Sequence, residues 1–121
     1  AMAQYSYALA LSLGQGGAAD WPKARIYYKL AADRGVAPAQ NNYAAMLHKG
    51  KGGEVDLPSA RKYSKLAANQ GMAEAQYNYG RMLYLGEGGE TDLPQARAYY
   101  KLAADQGIAI AQNSYAAMLY E

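Results

Sequence analysis

Apolar residues in "AQYNYGRMLYL" (75–85) return at three- and four-residue steps, so that Ala75, Tyr79, Met82 and Leu83 share one face of a helix. The opposite face carries Tyr77, Asn78, Arg81, Tyr84 and Leu85. The same pattern lies 36 residues upstream and 36 residues further up again. Ala3, Ala39, Ala75 and Ala111 keep that spacing, as do Gln4, Gln40, Gln76 and Gln112, and Leu11, Leu47, Leu83 and Leu119. The units are 3–38, 39–74 and 75–110, with a terminal half-repeat at 111–121, and together they form one repeat domain over 1–121.

Glycine and aspartate punctuate each unit. Gly14, Gly50 and Gly86 fit the left-handed residue that ends a helix. Asp20, Asp56 and Asp92 fit N-caps, and Pro22, Pro58 and Pro94 fall in the first turn that follows. "KLAAxxG" stops at Gly35, Gly71 and Gly107. Each unit therefore reads helix, glycine turn, helix, turn. In the second unit the helices are expected at Ala39–Lys49 and Leu57–Gln70, and the last helix of the chain at Ala111–Tyr120. Seven helices in antiparallel pairs make an all-α solenoid, because one pair cannot bury its apolar face alone. The core is expected from the repeated alanines, tyrosines and leucines and from Met46, Met82 and Met118. The invariant glutamines are expected to bridge neighbouring units.

The glycine turn resembles a phosphate cradle only in one copy, "HKGKGGEVD". Its second position is Gln15, Lys51 or Glu87, whereas a cradle needs fixed donors.

Taken together, these features resemble the Sel-one-like repeat family, a relative of the tetratricopeptide repeat. Unit three carries the resemblance at Ala75, Tyr79-Gly80, Leu83, Gly86-x-Gly88, Asp92, Ala96, Tyr99-Tyr100, Ala103-Ala104 and Gly107. There are two departures. The family's Leu…Tyr order in the first helix is inverted, as Tyr43 with Leu47 and Tyr79 with Leu83. The valine that follows the family's glycine turn is Gly17, Gly53 or Gly89, from which looser turns are expected. The resemblance implies a right-handed superhelix that serves as a non-catalytic interaction scaffold, with first helices lining the concave side. Relatives act as adaptors in quality control, signalling and host–microbe contact.

The expected contacts with a protein or peptide partner are Tyr5 and Leu9 in unit one, then Asn41, Ala45, His48 and Lys49 in unit two. Tyr77, Asn78, Arg81, Tyr84 and Leu85 follow in unit three, and Asn113, Ala117 and Tyr120 in the last helix. These positions vary between units while the core positions scarcely do. Aromatics supply contact area, and Arg and Lys grip carboxylates. Leu9 and Leu13 also form an apolar end that allows self-association.

Composition narrows the alternatives. The charge of +2 is too small to argue for nucleic acid or anionic lipid. A basic stripe of Arg25, Arg61 and Arg97 with Lys29, Lys65 and Lys101 is the second reading, for an acidic partner or a phosphate backbone. Against it, Lys29 can pair with Asp33, and Lys101 with Asp105. A trimmed or engineered array with no ligand of its own is the third. There is no cysteine, and no run of 18 apolar residues that would span a membrane. No signal peptide, cofactor or metal is expected. His48 reads as a surface histidine, and Ser12, Ser59, Ser64 and Ser114 have no evident His–acid partner. Thirteen Tyr and no Phe leave the aromatic packing to tyrosine.

Overall fold

The computed structural model describes residues 2–14 and 19–120. Gln15 and Gly17 of the first glycine turn, and Glu121, lie outside the described residues. Among those described there are seven helices: α1 (Met2–Ser12), α2 (Trp21–Asp33), α3 (Ala37–Lys49), α4 (Leu57–Asn69), α5 (Ala73–Leu85), α6 (Leu93–Asp105) and α7 (Ala109–Leu119). The main helix contacts run between neighbours in sequence, as a solenoid requires.

Local chemistry sets most of the helix ends. Asp20, Asp56 and Asp92 accept from the backbone N–H of Lys23, Ser59 and Gln95, at 3.1, 3.2 and 3.1 Å. Gly50 and Gly86 close α3 and α5 in the left-handed conformation, with φ of 74° at each. α3 and α7 start two residues before the sequence pattern suggests. Their N-caps, Val36 and Ile108, offer no side-chain cap to mark the start, and Pro38 sits harmlessly in the first turn of α3.

The core is built from small residues at fixed register. Ala24, Ala60 and Ala96 are fully buried, as are Ala31, Ala67 and Ala103. With no side chain beyond Cβ, they let the paired helices approach closely. Leu47, Leu83, Met46, Met82 and Met118 fill the space between them. Replacing Ala67 with leucine should therefore overpack the site and destabilise by about 1–3 kcal/mol. An unchanged urea midpoint for that variant would contradict this account of the core.

Three sets of polar contacts lace each repeat to the next. Gln40 donates to the Ala32 carbonyl at 3.1 Å and accepts from Gln70 at 2.8 Å. Gln76 repeats this with Ala68 and Gln106. Gln40 and Gln76 thus bridge neighbouring units, as does Gln112, which donates to the Ala104 carbonyl at 3.2 Å, whereas Gln4 Oε1 is buried with no hydrogen-bond partner among the described residues. Tyr63 donates to Asp33 at 2.6 Å, and Tyr99 donates to Asn69 at 2.7 Å. The Tyr63 hydroxyl and the Lys29 ammonium hold the Asp33 carboxyl below its usual range. Burial, followed by Asp33, pushes the Tyr63 hydroxyl up.

The third set involves the second and third glycine turns, which dock on the repeat before them and are not loose. Gly52 lies against the Trp21 carbonyl, and Gly88 lies against that of Leu57. A Cβ on Gly53 would come within 2.7 Å of the Arg25 guanidinium. Arg25 donates to the carbonyls of Glu54 at 2.8 Å and Lys51 at 3.3 Å, and Arg61 donates to that of Glu87 at 3.4 Å. At Gly53 and Gly89 the absence of a valine side chain leaves room for the arginine that reaches the turn from the preceding repeat.

Candidate partner-binding face

The first helices α1, α3 and α5 present their second face as a row of hollows. One, of about 250 Å³, is lined by Leu9, Ser12, Tyr28, Asn42, Ala45, Met46 and Lys51, with Trp21 and Lys49 at its side. The other, of about 220 Å³, is lined by Ala45, His48, Ser64, Asn78, Arg81, Met82 and Glu87, with Ala44 and Lys49. The first seven residues of the second hollow each lie 36 positions after their counterparts in the first. These are the same site in successive repeats, with different walls.

Six of the fourteen expected contacts border these hollows, and the other eight do not. Ala45, His48, Lys49, Asn78 and Arg81 line the second hollow, and Leu9 lines the first. Lys49 and Arg81 are exposed at the rim. Asn41 is the correction: it is buried, and its carboxamide oxygen accepts from Asn78 at 3.4 Å. Tyr5 packs against Tyr28, with ring centroids 6.1 Å apart. Tyr77 and Tyr84 pack against Tyr100 at 5.6 and 6.5 Å. These three tyrosines are half-buried packing residues with one edge open. Burial pushes the hydroxyl of Tyr100, beneath two of them, up to about 12. Leu85, Asn113, Ala117 and Tyr120 are exposed and border neither hollow.

His48 is not a free surface histidine. Its Nε2 lies 3.0 Å from Glu87 Oε2, so a variable helix position meets a variable turn position of the next repeat. Ser64 lines the same hollow, which the sequence reading did not foresee. The three do not form a nucleophilic relay. Ser64 is buried, and no hydrogen bond joins it to His48. Among the described residues no group of three or more His, Asp or Glu is placed to hold a metal.

The outer basic stripe is broken up by the fold. Arg25 and Arg61 bind the turn carbonyls, while Lys29 and Lys101 pair with Asp33 and Asp105 at 2.9 Å each. Lys65 and Arg97 remain exposed there.

A family model, the Sel1 repeat, matches three consecutive segments: 1–36, 37–72 and 73–108. The chain belongs to the Sel1 repeat family. Two of the Sel1 frames open on the first residues of α3 and α5. Sel1 repeat proteins are generally non-catalytic scaffolds for protein interaction. Similar solved structures include a protective antigen present in uropathogenic Escherichia coli strains displaying an SLR fold. It is 36% identical with a TM-score of 0.93, and the match covers 97% of this chain and 25% of that one. A Sel1 repeat protein from Oxalobacter formigenes is 28% identical with a TM-score of 0.89, over 94% of this chain and 47% of that one. This Sel1 array therefore spans a quarter and about half of the lengths of those two proteins. Cysteine rich protein B of Helicobacter pylori, at 19% identity and a TM-score of 0.74, shares the fold, over 93% of this chain and 91% of that one. No curated protein matches the chain. No helix among the described residues is long and apolar enough to cross a membrane.

Proposed function

We propose that this Sel1 array is a non-catalytic module that holds a peptide or protein surface along the concave face of its first helices. The observation that carries the reading is the recurrence of one hollow at 36-residue spacing, with a conserved register and altered walls. A peptide laid across α1, α3 and α5 would place successive side chains over successive hollows. Leu9 and Tyr28 make the first apolar, whereas His48, Arg81 and Glu87 make the second charged. Lys49 lies between them and serves both. Specificity then comes from the walls, while affinity comes from a few well-buried contacts.

The test is affinity capture from the source cell with three baits: the parent chain, Lys49→Glu with Arg81→Glu, and Lys65→Glu with Arg97→Glu. All four side chains are exposed, so both variants should fold. A protein recovered by the parent and the outer variant, but lost by the groove variant, is the expected result. Partners lost only by the outer variant, and released by nuclease, would overturn it in favour of an acidic or nucleic-acid partner.

A further inference from the structure

The middle repeat lacks two rings that its neighbours keep. Tyr5 and Tyr28 pack together in the first repeat, and Tyr77 and Tyr100 in the third. The equivalent residues of the middle repeat are Asn41 and Ser64. The helices around them are otherwise built alike: α4 and α6 are both 13 residues long, with the same aspartate cap. Ser64, which stands where its neighbours carry a ring, lines the second hollow, the more enclosed of the two. We propose that this hollow is an aromatic slot that accepts a tyrosine side chain of the bound partner.

The neighbouring repeats show that a phenol ring fits at this register. In the third repeat the Tyr100 ring lies over Gly80, where an added Cβ would stand 3.0 Å from it. In the first repeat the counterpart of Gly80 is Ala8, which is fully buried beside a buried Tyr28. The middle repeat has alanine again, at Ala44, on the wall of the slot. An alanine wall is therefore compatible with a ring. Met82 adds a thioether to the lining, a group that packs well on aromatic rings. The volume of about 220 Å³ exceeds the roughly 150 Å³ that suffices for benzene in an engineered cavity.

The polar end distinguishes tyrosine from phenylalanine. The Tyr28 hydroxyl meets Ser12 Oγ at 3.0 Å, and the counterpart of Ser12 is His48. A phenol seated in the slot thus brings its hydroxyl toward the His48–Glu87 pair. Glu87 Oε2 is engaged by His48, whereas Glu87 Oε1 is buried with no hydrogen-bond partner among the described residues. A buried carboxylate oxygen without a donor is costly, and a phenol O–H is a donor of the right kind once the Glu87 carboxylate, whose Oε1 is shielded from solvent, turns toward the slot. A site with such an acceptor discriminates against a ring that lacks the hydroxyl.

This proposal deepens the peptide-binding reading and rests on it for the origin of the ring, but the slot can be tested without a partner. The whole chain, labelled for NMR, is titrated with p-cresol, the side-chain analogue of tyrosine, and with toluene. The expected result is saturable shifts confined to Ala44, Ala45, His48 and Met82, with toluene bound about tenfold more weakly. Ser64→Tyr should fill the slot from within, raise the melting temperature and abolish the shifts. Ala45→Leu, which copies Leu9, should narrow the slot and weaken p-cresol about tenfold, and it decides the matter if Ser64→Tyr does not fold. Absence of saturable shifts in the parent chain overturns the slot, as does unaltered p-cresol binding by a folded Ser64→Tyr. If p-cresol fails while the groove variant still loses its captured protein, the slot alone is wrong. If p-cresol binds as expected while that protein is retained, the groove reading alone is wrong.

Discussion

Gly88→Ala is expected to destabilise the chain by about 2–5 kcal/mol and to lower its melting temperature by about 10 °C or more. Two effects add. Gly88 has φ of 75°, a region that costs an L-residue roughly 1–2 kcal/mol. An added Cβ would also press on the Leu57 carbonyl group, 2.7 Å from its carbon and 3.1 Å from Arg61 Cβ. Those are backbone and stem atoms, so the turn itself must lift from α4. Lifting it also strains the bond from Arg61 to the Glu87 carbonyl. Gly71→Ala separates the two effects. Gly71 has φ of 92° but nothing within 4 Å of the added Cβ, so it reports strain without collision. Urea midpoints for the pair decide the point. If Gly88→Ala costs no more than Gly71→Ala, the docked turn contributes nothing to the coupling between repeats.

What was legible in the sequence was the chemistry that acts within a few residues. The aspartate caps, the left-handed glycines and the Lys29–Asp33 pair all join groups close in the chain, so their spacing announces them. The starts of α3, α5 and α7 were less legible, because Val36, Met72 and Ile108 cap nothing with their side chains. Roles that join one repeat to the next were mostly hidden. Arg25 binds carbonyls 26 and 29 residues away, and in one dimension it looks like one member of a basic row. The His48–Glu87 contact spans one period plus three residues, between positions that differ among the three full repeats. A signal for the second hollow did exist. "YSKLAANQG" breaks a Tyr-Tyr pair that "YYKLAADRG" and "YYKLAADQG" keep. A polar, small residue at a core register of one repeat marks a space that something else must fill or line.

The inverted order of tyrosine and leucine in the first helices makes the last prediction. Exchanging them, as Tyr79→Leu with Leu83→Tyr, would restore the family order and conserve total side-chain volume. It should nevertheless cost about 2–5 kcal/mol. Tyr79 packs edge-on against Tyr99 at 4.7 Å, and the Tyr99 hydroxyl donates to Asn69 of the preceding repeat. The second repeat is built the same way, with Tyr43 against Tyr63 at 4.8 Å and Tyr63 bonded to Asp33. The tyrosine of the first helix thus fixes the ring that ties two repeats together, a role leucine cannot fill. Leu83 is among the most buried side chains, only 1% exposed, and a phenol placed there loses water without gaining a partner. Leu83→Ala alone should cost about 2–5 kcal/mol through the cavity it leaves, which sets the scale in the same urea titration. An exchange that leaves the midpoint unchanged would mean that volume, not the Tyr79–Tyr99–Asn69 chain, holds these repeats in register.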